Sequence, residues 1–122
     1  MVRRWGGPTR FGDAVLVSTM GTVTGRTRDA VVSCEAIGKY KVLPEAYLTC
    51  ARWLQLDPGE CLMVACHNFD LDAAKACGFN TAFVRRPDEW GAAGPPDPEP
   101  KPHHDLVAAT FPDLARQLGV AA

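Results

Sequence analysis

A chain of 122 residues, 47% hydrophobic and 22% charged, has the composition of one ordinary globular domain with room for a single core. Its formal net charge of −1 provides no electrostatic footprint for nucleic acid or an anionic membrane, so neither is expected as a partner. No apolar run approaches the roughly 18 residues of a membrane helix. The opening MVRRWGGPTRFGD carries Arg3 and Arg4 with no apolar stretch behind them, so a cytoplasmic location is expected rather than a secretory signal.

In chain order, AVLVS (14–18), AVVS (30–33), CLMVA (61–65) and TAFV (81–84) are apolar without polar alternation, and LVAAT (106–110) is a weaker fifth. Strands covered on both faces read this way, and they belong to parallel sheets. Pro44 suits a first helical turn, and EAYLTCARWLQL follows, with Ala46, Tyr47, Cys50, Trp53 and Leu54 expected on its inward face. Asp57-Pro58-Gly59 breaks the chain. A second helix is expected from Asp70 to Cys77, stopped by Gly78, and a third from Phe111 to Leu118, closed by Gly119. The proline-rich GAAGPPDPEPKPHH (91–104) reads as an extended surface loop, with His103-His104 an incidental exposed pair. This alternation predicts an α/β fold: a single domain over 1–122, with a mostly parallel sheet of four to five strands flanked by helices. Five cysteines at 34, 50, 61, 66 and 77 form no C-x-x-C, which fits neither a disulfide scaffold nor a zinc site and suits free thiols.

Four stretches carry a chemical signal: SCEAIGKYKVLPEAY (33–47), LMVACHNFDLDAAKACGFNTAFV (62–84), RRPDEWG (85–91) and DLVAATFPDLARQLG (105–119). In this order and spacing they resemble the haloacid dehalogenase superfamily, and within it the 2-haloacid dehalogenases of type II. The resemblance implies a reduced, Rossmannoid version of that core. It also implies that Lys41 neutralises the nucleophilic carboxylate, since a cation beside an Asp keeps it ionised. Tyr47 matches a tyrosine lining the substrate pocket. Asp70 matches an acid that helps activate water and hold Lys41, with His67 and Asn68 supplying polar contacts nearby. The family continues K-P-x-P where this chain has Val42-Leu43-Pro44. Cys66 stands where related phosphatases place an acid for Mg²⁺, and a thiol suits that ion poorly, so no metal or other cofactor is expected. The same residues also have plain structural readings: Lys41 as a surface lysine, Tyr47 as core, His67 as a structural polar group, Asp70 as a helix N-cap. Pro87 and Trp90 are expected to pack a loop over the sheet.

The family opens with strand–Asp–x–x–Gly–Thr, whose Asp attacks the substrate carbon. VLVSTMGTV (15–23) places Ser18 at that position and Thr22 at the family threonine. Alternatively, Ser18-Thr19 is an altered form of a later Ser-Asn-Gly whose side chains contact substrate or halide. Either alignment leaves the chain without its nucleophile, and Asp13 lies at the wrong end of the strand. Only ten residues (19–28) separate Ser18 from Asp29, which leaves no room for the family's helical cap. The resemblance implies hydrolysis of a small 2-haloalkanoic acid with release of halide. The alternative is a truncated, catalytically silent relative that acts as a binding or subunit-interaction module. Apolar surface uncovered by the missing cap would then favour a homo-oligomer. Two placements are expected. Lys41 and Asp70 should meet at one end of the sheet. Strand 14–18 should pair in parallel with 62–65, unless it folds back as a hairpin onto 22–26.

Overall fold

The computed structural model describes residues 2–4, 16–18, 30–31, 34–94 and 99–119. Its strands are β1 (Val2–Arg4), β2 (Leu16–Ser18), β3 (Ala30–Val31), β4 (Cys61–Ala65), β5 (Asn80–Val84) and β6 (Leu106–Ala108). The helices are α1 (Cys34–Ile37), α2 (Pro44–Trp53), α3 (Asn68–Ala76) and α4 (Phe111–Gln117). One sheet takes the order β3-β2-β1-β4-β5-β6. The β2–β3, β4–β5 and β5–β6 pairs are parallel, while β1 is antiparallel to both of its neighbours. The α/β, mostly parallel architecture read from the sequence is present, with a sixth strand that the pattern did not announce.

The double apolar coating of β4 explains its central place. Cys61 and Met63 face a cluster with Tyr47, Cys50 and Ala51 of α2 and Leu71 and Ala74 of α3. Leu62 and Val64 face the opposite cluster, with Ala82 and Val84 of β5 and Leu114 of α4. A strand with helices on both faces needs hydrophobic residues at consecutive positions, which is why CLMVA shows no alternation. Each fully buried side chain of this size contributes roughly 1.5–3 kcal/mol of transfer free energy.

The expected parallel pairing of 14–18 with 62–65 does not form. Val2, Arg3 and Arg4 lie opposite Met63, Leu62 and Cys61, so β1 occupies that edge of β4. The backbone N–H and C=O groups along that edge need partners, and the N-terminal strand supplies them. Strand β2 pairs instead with β1 and with β3, and the hairpin partner 22–26 lies outside the described residues.

Within α2, Ala46, Tyr47, Cys50 and Ala51 are buried, whereas Trp53 is half exposed. At 3.6 residues per turn Trp53 stands about 100° from the middle of that stripe, on the last turn, so its expected inward placement is not realised. Helix α3 starts two residues earlier than expected, at Asn68, and Gly78 stops it with φ +93°. That left-handed conformation is one glycine adopts without penalty.

Candidate active site

Strands β4 and β5 end at the same edge of the sheet, and Lys41, Tyr47, His67, Asn68 and Asp70 gather there. In open α/β sheets this carboxyl edge is where ligands bind. Beyond Ala65 the chain runs through Cys66 and His67 directly into α3, and Asp70 falls in the first helical turn. A carboxylate is favourable at that end of the helix dipole. His67, not Asp70, is the N-cap residue, and its side chain makes no capping bond. Asp70 turns its carboxylate toward α2. Lys41, just ahead of α2, donates from Nζ to Asp70 Oδ2 at 2.9 Å. Tyr47, in the first turn of α2, donates from Oη to Asp70 Oδ1 at 2.5 Å and lies 3.3 Å from the Asp70 carbonyl. The expected meeting of Lys41 and Asp70 is therefore realised.

Asp70 and Tyr47 are both buried. A buried carboxylate is costly unless each oxygen is paired, and here each has a partner. Burial, reinforced by the Asp70 carboxylate, pushes the Tyr47 phenol well above its ordinary value, so Tyr47 remains a donor. Lys41 keeps part of its side chain at the surface. An ammonium has three N–H donors, and one bond to Asp70 leaves two to meet an incoming anion.

Asn68 faces a different task. It is almost fully buried. Its Nδ2 donates to the Glu99 carbonyl at 2.8 Å, and its Oδ1 accepts from the Lys101 N–H at 3.1 Å. His104 Nε2 lies 2.8 Å from the same oxygen, which makes Nε2 the protonated nitrogen. His104 Nδ1, 3.3 Å from Thr81 Oγ1, is then the acceptor. The His103-His104 pair is thus not incidental. His104 is buried against Phe83, and burial lowers its pKa from 6.5. His103 holds Asp72 at 2.5 Å. The proline-rich loop is pinned at residues 99–104 to the start of α3.

His67 stacks on Phe69 and meets the edge of Trp90, which is half exposed. Glu89 sits between Cys66 and His67, with Oε2 2.8 Å from Cys66 Sγ and 3.2 Å from His67 Nε2. Burial and that hydrogen bond push the Cys66 thiol up to about 12. A cavity of about 220 Å³ opens beside them, lined by Cys66, Phe83, Arg85, Arg86, Glu89 and Glu99 among others. Glu89 escaped notice in the sequence because it follows Cys66 by 23 positions and lies in a loop with no periodicity.

Ser18 ends β2. Because β1 reverses direction between them, β2 and β4 run the same way and end at the same edge. Two strand spacings, about 9–10 Å, separate their backbones. Thr22 lies outside the described residues.

No family model matches the chain. Among solved structures, an L-2-haloacid dehalogenase is 40% identical with a TM-score of 0.73, covering 76% of this chain and 40% of that one. A defluorinating L-2-haloacid dehalogenase is 42% identical, again with a TM-score of 0.73, over 76% of this chain and 38% of its own. Over three quarters of its length the chain is similar in sequence and fold to these L-2-haloacid dehalogenases. The L-2-haloacid dehalogenase of Xanthobacter autotrophicus, whose structure was solved with chloropropionic acid covalently bound, is 27% identical over 78% of this chain and 46% of its own, with a TM-score of 0.62. A curated relative, a fructose-1-phosphate phosphatase of Escherichia coli, is 32% identical over 57 residues, 47% of this chain and 30% of that protein. The chain thus spans about two fifths of the length of the first two dehalogenases.

Proposed function

We propose that this chain carries the lysine–tyrosine–aspartate part of a hydrolytic site whose substrates are small 2-halogenated carboxylic acids. The observation that carries the reading is the double engagement of Asp70, by Lys41 Nζ at 2.9 Å and Tyr47 Oη at 2.5 Å, at the carboxyl edge of the sheet. The kinship with L-2-haloacid dehalogenases supports the substrate class.

The geometry suggests how the parts would work. Asp70 accepts two hydrogen bonds and so fixes the ammonium of Lys41 rather than moving itself. Lys41 presents a fixed positive charge to a carboxylate, either the substrate's or that of an attacking group. Tyr47, kept protonated by burial, locks the orientation of Asp70. Displacement of halide by a carboxylate gives an ester and free halide, and water then cleaves the ester at its acyl carbon. Asp70 is poorly placed to be that nucleophile, because both of its oxygens already accept donors. Ser18 carries no carboxylate. A second reading, in which the chain binds such acids without turning them over, is favoured by the position of β1, which separates the Ser18 strand from β4.

The phosphatase relative raises Mg²⁺ chemistry. The residues at this edge do not fit that ion: Asp70 is engaged by a cation and a phenol, and the neighbouring donor is the Cys66 thiol. Mg²⁺ requires near-octahedral oxygen ligands.

The test is halide release from 2-chloropropionate by the purified chain and its Lys41→Ala variant, beside phosphate release from fructose 1-phosphate with Mg²⁺. Halide release that falls at least about a hundredfold in the variant supports the dehalogenase reading. Phosphate release without halide release would replace it with a phosphatase.

A further inference from the structure

The geometry points to a zinc site formed by Cys66, His67 and Glu89 at the carboxyl edge of β4, separate from the Lys41–Asp70–Tyr47 group. It goes beyond the proposed hydrolysis and does not depend on it.

Three donor atoms from these residues, Sγ, Nε2 and a carboxylate oxygen, lie within 4.8 Å of one another. His67 Nε2 is shielded from solvent and has no hydrogen-bond partner, although Glu89 Oε2 is only 3.2 Å away. A buried ring nitrogen is normally satisfied, and here the group that faces it is the Glu89 carboxylate. A lone pair directed at a carboxylate oxygen is repelled unless a proton or a cation lies between them. With Zn–N and Zn–O near 2.1 Å and Zn–S near 2.3 Å, tetrahedral donors stand about 3.3–3.6 Å apart. The nitrogen–oxygen separation is already close to that value. The sulfur–oxygen pair, at 2.8 Å, is shorter because the thiol donates to the carboxylate. Metal binding removes that proton, and the pair then needs to open by roughly 0.8 Å. Glu89 can move this far, since it sits in a surface loop with about a third of its side chain exposed.

The donor set selects the ion. One thiolate, one imidazole and one carboxylate suit Zn²⁺ and exclude Mg²⁺. Three protein ligands leave a fourth position, which Cys66 and Glu89 place at the cavity of about 220 Å³. Arg85 and Arg86 line that cavity, so the fourth ligand would be water or an anionic group. The other group of donors, Asp72 with His103 and His104, is less suited. His104 Nε2 is bonded to Asn68, and the Lys101 ammonium lies on Asp72 at 2.6 Å.

The experiment is titration of the metal-free full chain with Co²⁺, followed by absorption, and then displacement by Zn²⁺. Neither step requires turnover. The expected result is one equivalent bound at micromolar affinity or tighter, with a thiolate-to-cobalt charge-transfer band. Cys66→Ser should abolish that band, and Glu89→Gln should weaken Zn²⁺ by at least about tenfold. A Cys34→Ser/Cys77→Ser double variant, which removes the other two partly exposed thiols, should keep both the band and the affinity. Circular dichroism establishes folding in each case. If Cys66→Ser does not fold, Glu89→Gln decides, and unchanged affinity there overturns the proposal. So does a folded wild type without the band, a band that survives Cys66→Ser, or a band lost in the double variant.

Discussion

Replacing Asn68 by Ala tests whether the proline-rich loop is built into the fold or merely lies over it. Asn68 joins the start of α3 to residues 99–104 through three bonds: to the Glu99 carbonyl, from the Lys101 amide and from His104 Nε2. A neutral hydrogen bond contributes about 0.5–1.5 kcal/mol net, and a buried donor left without an acceptor costs about 1–3 kcal/mol. In the variant the first two bonds are lost and the His104 N–H is orphaned in the interior. The sum is roughly 4 kcal/mol, which for a domain of this size lowers Tm by about 16 °C. Urea denaturation followed by circular dichroism measures the free energy, and protease cleavage within 99–104 measures release of the loop. Asp72→Asn is the control, because its ion pairs to Lys101 and His103 are at the surface and should count for less than about 1 kcal/mol. An Asn68→Ala loss below about 1 kcal/mol, with the loop still resistant to protease, would refute the clamp.

Three further outcomes follow from the same structure. Gly78→Ala should destabilise by about 1–3 kcal/mol, since φ is +93° and the new Cβ would stand 3.2 Å from Pro58 Cβ, whereas Gly59→Ala meets nothing within 4 Å; paired urea melts check the contrast. Because burial lowers the His104 pKa below 6.5, the folded state binds fewer protons there than the unfolded state, so His104 stabilises fully above pH 6.5 and less as pH falls through its folded pKa. Tm should therefore drop on acidification below pH 6.5, and NMR titration of the His104 ring should show its midpoint below 6.5; a midpoint at or above 6.5 would contradict this. Mg²⁺ should bind no better than millimolar, and calorimetry showing a tight stoichiometric site would contradict the donor-set argument.

Much of the site was legible because its spacing along the chain is short and its neighbours are distinctive. Lys41 and Tyr47 flank one helix start, and Asp70 follows directly from a strand, so topology alone brings them to one edge. Apolar runs announced β4 and β5 for the same reason: covered strands need hydrophobic residues at consecutive positions. What escaped depends on contacts between distant segments. The burial of His104 depends on Asn68, 36 positions earlier, and the Cys66–Glu89 contact spans 23. The displacement of the Ser18 strand from β4 depends on three N-terminal residues whose pattern, Val2-Arg3-Arg4, carries no strand signal. Trp53 reads as inward only if the stripe is taken too wide.

The central claim is that Lys41, held by Asp70 and Tyr47, forms an anion site for small 2-haloacids. Calorimetric titration of the chain with 2-chloropropionate measures this whether or not the bound acid is turned over. Stoichiometric binding that weakens at least about tenfold in Lys41→Ala, but is unchanged in Lys75→Ala, whose cation pairs with Asp105 at the surface, is the predicted result. Equal affinity in the wild type and Lys41→Ala, with both proteins folded, would contradict it.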